Sequence, residues 1–149
     1  MRKKIKGSEL RREIAWLRQE LTNTRNRAAI LIANTSKNHF VEGFRRGGFM
    51  TDDSVGGWKP RKYKSKRSQG RAILVKTGDL RRSILVKSRA PERIIIGTEG
   101  IRYAMVHNFG LETGRRKARF IMPKREFIGD SKTLERKLIE MLNNQLRKI

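Results

Sequence analysis

Two eight-residue segments constrain this chain more than any others: Thr77-Gly78-Asp79-Leu80-Arg81-Arg82-Ser83-Ile84 and Tyr103-Ala104-Met105-Val106-His107-Asn108-Phe109-Gly110. Each sets a glycine against apolar anchors, the pattern by which a chain fixes a backbone corner rather than a reaction. Short apolar runs lie around these corners, at residues 72–75, 84–87 and 93–97, and read as strands. The brief connection through Pro91-Glu92 pairs the second and third as an antiparallel hairpin, which argues for an α+β sheet rather than a parallel doubly wound one. Residues 103–109 form a helical turn ending at Gly110. Residues 111–119 are polar and basic, and Phe120-Ile121-Met122, just before Pro123, form a final edge strand.

Helices flank this region. Leu10, Ile14, Leu17, Leu21, Thr24, Ala28, Leu31 and Thr35 recur at alternating spacings of four and three, which is helical periodicity. Ser8 suits the N-cap. Thr22-Asn23-Thr24 and Asn26 weaken the middle, giving either two consecutive helices or one long helix with a soft joint, ending near Arg46 before Gly47-Gly48. The stripe is expected to pack on the domain's own sheet, the alternative being a neighbouring subunit. At the other end Ser131 caps a helix to about residue 148, with Leu134, Leu138, Met141, Leu142, Leu146 and Ile149 on one face, while Arg147 and Lys148 suit the negative end of its dipole. The expected fold is α+β: a small antiparallel sheet flanked by N-terminal helices and a C-terminal helix, with a long basic loop. It forms one domain over residues 1–149, divided into helical 8–46, loop 47–71, sheet region 72–128 and C-terminal helix 131–148.

Lys and Arg outnumber Asp and Glu by 37 to 14, a net charge of +23, so the folded chain sits in a self-repelling field that nucleic acid, an acidic protein or an anionic membrane face would relieve. The charge is dense in the glycine-rich loop, where Lys59, Arg61, Lys62, Lys64, Lys66, Arg67 and Arg71 are interleaved with Trp58 and Tyr63. That mixture suits phosphate pairing and aromatic contact. Trp58, beside Gly56-Gly57, reads as a packing anchor for the loop stem. No cysteine is present, so neither a disulfide nor a thiolate zinc site is available. The basic start is not followed by a secretory apolar stretch, and the longest apolar run, residues 28–33, is far below the ~20 residues that cross a bilayer. No segment joins a broad apolar face to an unbroken basic one, so a soluble chain without membrane binding is expected.

The sequence offers no catalytic, metal or cofactor site. Neither of the two histidines, His39 and His107, has a pair of Asp/Glu residues at helical spacing beside it to complete a zinc site. Asp52-Asp53, which a nuclease could use for a divalent ion, reads as a turn former in a glycine-rich loop. There is no phosphate-binding loop or dinucleotide fingerprint. His107 reads as a ring that locks a corner by hydrogen bonding, and Asp79 as a turn carboxylate that takes a backbone amide or pairs with Arg81 or Arg82.

Trp58, Ile73-Leu74, Thr77-Gly78, Leu80, Ser83-Ile84, Ile96-Gly97-Thr98, Tyr103-Ala104, His107, Phe109-Gly110, Arg125, Phe127-Ile128 and Gly129 appear in one collinear order. In that order they resemble the phage virion-morphogenesis, or tail-completion, family typified by phage Mu. The similarity spans about residues 58–131. It departs at Lys124-Arg125-Glu126-Phe127, where the family often has Ala-Arg-Pro-Phe, and at Asn108, where it often has Gln. The resemblance implies a structural protein of a tailed phage or prophage, without catalysis or cofactor, made in the host cytoplasm and carried in the tail or neck of the virion. It implies a ring of identical subunits that completes the tail or joins it to the head, with other tail or connector proteins as partners. A ring multiplies the charge of each subunit, so a basic loop facing the lumen would meet DNA without reading sequence, and one facing outward would clamp acidic neighbours. The alternative is an autonomous, sequence-nonspecific nucleic-acid-binding protein.

Overall fold

The computed structural model describes residues 6–52, 54–62, 66 and 69–147. Its first element, α1 (Gly7–Arg46), is one continuous 40-residue helix, which decides between the two arrangements the sequence allowed. The polar residues of the soft joint satisfy themselves along the helix: the Thr22 hydroxyl donates to the Arg18 carbonyl at 2.9 Å, and the Gln19 amide to Asn23 Oδ1 at 3.1 Å. Ser8 lies inside the helix; the cap position is Lys6, which makes no side-chain cap bond. At the far end Gly47 takes the left-handed conformation, φ 70°, and stops the helix as expected.

Only the C-terminal half of α1 packs on the body, through Ala29, Ala33, Ser36, Phe40, Gly43 and Phe44. Leu10, Ile14, Leu17 and Leu21 are exposed, so this part of the stripe does not pack on the domain's own strands. Periodicity reveals an apolar face but not what covers it.

Residues 47–57, expected as irregular loop, hold a small ribbon of β1 (Gly48–Met50) and β2 (Val55–Gly57), paired antiparallel. Three-residue strands are too short to leave a period of two in the sequence. A further ribbon pairs β3 (Ile84–Ala90) with β4 (Arg93–Thr98), the expected antiparallel hairpin, with an irregularity between Val86 and Ser88. The last joins β5 (Glu112–Arg115) to β6 (Ala118–Ile121). The fold is thus α+β, but among the described residues its strands form three separate two-stranded ribbons instead of one small sheet. Two short helices, α2 (Asp79–Arg82) and α3 (Ala104–Phe109), and the C-terminal α4 (Lys132–Leu146) complete it. The end of α4 predicted from Lys148 and Ile149 lies outside the described residues.

The segment 72–75 is a turn, not a strand. A strand sends successive side chains to opposite faces, whereas Ile73, Leu74 and Val75 all pack against one core. The turn puts Leu74 at φ 61°, a strained conformation for a branched side chain.

That core gathers Phe40, Phe44, Phe49, Trp58, Leu80, Ile84, Ala104, Phe127 and Leu134. The Phe44 ring meets Trp58 edge-on at 5.2 Å between centroids and Phe127 at 5.5 Å, so one ring joins α1, the loop stem and the segment before α4. Ser131 fastens α4 twice: its hydroxyl accepts from Leu134 N at 3.2 Å, as the expected N-cap, and donates to the Met50 carbonyl at 2.6 Å.

Candidate functional site

The two glycine-cornered segments and the stem of the basic loop converge on a strap, residues 125–128, that leads towards α4. On one side α3 grips it. The Asn108 side chain behaves as a substitute strand: its Oδ1 accepts from Phe127 N at 2.9 Å and Ile128 N at 3.0 Å, and its Nδ2 donates to Ile128 O at 2.9 Å. Arg125 N donates to the His107 carbonyl at 2.7 Å. Gly110 ends α3 at φ 70°, where a Cβ would also come within 3.1 Å of the Lys124 backbone, so a side chain there would push the strap away.

On the other side the loop stem holds the strap. Trp58 is buried, and its indole Nε1 donates to the Glu126 carbonyl at 2.6 Å. Arg125 is buried too, and its guanidinium donates to the carbonyls of Lys59 at 2.9 Å and Pro60 at 3.2 Å. Burial, and then the nearby Arg61 charge, hold its pKa below the ordinary arginine value. In the loop itself Arg61 donates to the carbonyls of Arg71 and Ala72, and Arg71 donates to that of Lys76. These arginines therefore shape the loop as well as charge it.

At α2 the Thr77 hydroxyl donates to the Asp79 carboxylate, which also pairs with Arg82. The Thr77 bond, followed by Arg82, keeps Asp79 below the usual carboxylate pKa. Of the two arginines the sequence offered to Asp79, the structure selects Arg82. Gly78 precedes the helix at φ 81°, Leu80 is buried, and the Ser83 hydroxyl donates to the Leu80 carbonyl at 2.8 Å.

An open cavity of about 360 Å³ lies between these parts, with Arg61, Lys76, Thr77, Tyr103, His107 and Arg125 in its wall. The Tyr103 and His107 rings meet edge-on at 5.8 Å. His107 Nδ1 is buried without a hydrogen-bond partner; burial first and the Arg125 charge second lower its pKa. His39 is buried under β1, and its pKa is lowered by burial, with the Met50 backbone opposing and Lys137 and Arg46 adding to the decrease. Both rings are therefore held neutral at neutral pH.

Among the expected contact residues, Lys59, Lys62, Lys66 and Arg71 are exposed and Arg61 is half-buried. Tyr63, Lys64 and Arg67 lie outside the described residues. Among the anchors, Trp58, Gly78, Leu80, Ser83, Arg125 and Phe127 are buried, while Thr77, Tyr103 and Phe109 are exposed. Asp52 is exposed 4.0 Å from Lys132, and Asp53 lies outside the described residues. Among the described residues no three His, Asp or Glu side chains gather as a metal site, and no helix is long and apolar enough to cross a membrane. In the sequence Asn108 stands out only as a departure from a motif. Its signal was a buried-type position one residue before the Phe109-Gly110 helix end, where an amide can pair with a passing backbone.

Residues 45–147 match the phage virion morphogenesis family, a stretch that contains the loop stem, both glycine corners, the strap and α4. The chain belongs to this family. No curated protein and no solved structure matches it. Family membership gives the chain a structural role in building a phage particle. The match starts at residue 45, so nearly all of α1 lies outside it.

Proposed function

We propose that the chain is a non-enzymatic subunit that completes the tail of a tailed phage or joins it to the head, acting as one copy in a ring around the path of the genome. The observation that carries this reading is the family match over residues 45–147, which takes in every anchor from Trp58 to Phe127. The chemistry of those anchors supports it. The indole of Trp58, the amide of Asn108 and the guanidinium of Arg125 all hold backbone carbonyls or amides, which is the work of a scaffold. The subunit is made in the host cytoplasm and its partners are identical copies and other tail or connector proteins.

The charge of +23 favours contact with nucleic acid, either as part of this role or, in a second reading, as the activity of the lone chain. The two separate in a salt series with random-sequence duplex DNA. A subunit that acts after assembly binds weakly when alone, with a Kd of about 10⁻⁴–10⁻⁶ M at physiological salt and no sequence preference. Changing Lys59 and Lys66 to Gln reduces the salt slope by about one for each lysine that meets phosphate. Nanomolar binding by the single chain at physiological salt supports the autonomous binder instead.

A further inference from the structure

The first sixteen residues of α1, 7–22, stand clear of the body as an arm about 25 Å long; the Arg25–Glu92 ion pair at 2.8 Å marks where the helix reaches the β3–β4 turn. Leu10, Ile14, Leu17 and Leu21 on this arm are 50%, 41%, 48% and 58% exposed. They form a single seam, one residue's rotation or about 100° around the helix from the face that Ala29, Ala33, Ser36 and Phe40 turn to the body. In heptad terms Ile14 and Leu21 are at a, and Leu10 and Leu17 at d, so a second helix fits the seam by knobs-into-holes packing.

The flanks state which helix fits. Glu13 and Glu20 fall at g; Arg11, Arg18 and Arg25 fall at e. In a parallel, in-register pair each g residue faces the e residue five positions on in the partner, which sets Glu13 against Arg18 and Glu20 against Arg25. In an antiparallel pair g faces g and e faces e, which sets glutamate against glutamate and arginine against arginine. The charges match one arrangement and oppose the other. Within the single chain Glu20 lies 3.9 Å from Arg27, and Arg25 pairs with Glu92. Both are exposed surface pairs, which hold little energy and exchange readily for interhelical ones.

We infer that the arm of α1 is a self-association element that zips, parallel and in register, onto the same segment of a second copy of this chain. The inference does not rest on the family role, since the arm lies outside the residues that match the family. A parallel, in-register pair of this kind is an isologous contact whose two-fold axis runs along the helices, so the arms join copies two at a time.

The full chain tests this with charge-swapped arms. One variant carries Glu13→Arg and Glu20→Arg, the other Arg18→Glu and Arg25→Glu. Light scattering at about 0.3 M salt, where repulsion between bodies is damped, reads the mass. Wild type is expected at a multiple of 17.4 kDa, each variant alone at 17.4 kDa, and their equimolar mixture again at the multiple. Register is read separately, because the native chain has no cysteine. Leu10→Cys, at the seam, should form a covalent dimer on mild oxidation, while Gln19→Cys, on the outer face, should not. Association of each charge variant as strong as wild type, a mixture that stays monomeric, or equal cross-linking at the two cysteines would each overturn the inference.

Discussion

Replacing Phe44 with alanine is expected to destabilise the protein by about 3–5 kcal/mol, a large part of the ~5–15 kcal/mol that holds a domain of this kind together. Phe44 is 1% exposed, and its ring is the contact through which the end of α1, the loop stem at Trp58 and the strap at Phe127 pack on one another. Removing it opens a cavity among three elements that come from distant parts of the chain, and none of them can collapse into it without giving up the hydrogen bonds of Trp58 or Asn108. Phe120→Ala serves as the control, since that ring is half-exposed on the β5–β6 ribbon and its loss should stay within about 0.5 kcal/mol. Denaturant unfolding of the two variants measures the difference. Equal losses would show that the three-way contact is not the centre of the fold.

Asn108→Leu should cost about 3 kcal/mol despite keeping the same number and branching of side-chain heavy atoms. It leaves the amides of Phe127 and Ile128 and the carbonyl of Ile128 without their partners, and an unmade bond at a buried group costs ~1–3 kcal/mol. Hydrogen exchange localises the effect: the amides of Phe127 and Ile128 should lose protection before the rest of the molecule. Asn108→Asp is expected to fail as well, because its second carboxylate oxygen would face the Ile128 carbonyl where the amide now donates. If Asn108→Leu leaves exchange at the strap unchanged, the grip of α3 on it is not set by this side chain.

Much of the fold was legible because local rules decide it. The four-three spacing from Leu10 marked the N-terminal part as helical, without deciding between one helix and two; Gly47 and Gly110 gave helix ends, Pro91-Glu92 gave the hairpin, and Ser131 gave the cap of α4. What escaped depends on contacts between distant residues. Ile73-Leu74-Val75 has strand composition, but a core reached from one side by three successive residues requires a turn. Asn108 and the strap are about twenty residues apart, and no local pattern announces a side chain that stands in for a strand. The basic loop was visible as charge, whereas the use of Arg61 and Arg71 to tie its backbone was not. The exposure of the α1 seam was hidden for the same reason: an apolar stripe looks the same whether its cover is its own body or another molecule.

Electron microscopy of particles made by the phage or prophage that encodes this chain, with the reading frame deleted and then supplied in trans, decides whether the protein finishes or joins the tail. Without the protein, DNA-filled heads and tails should remain separate or unfinished and infectivity should fall by orders of magnitude, with rescue by the wild-type chain and none by Phe44→Ala. Intact, joined and fully infectious particles in the absence of the protein would contradict this role.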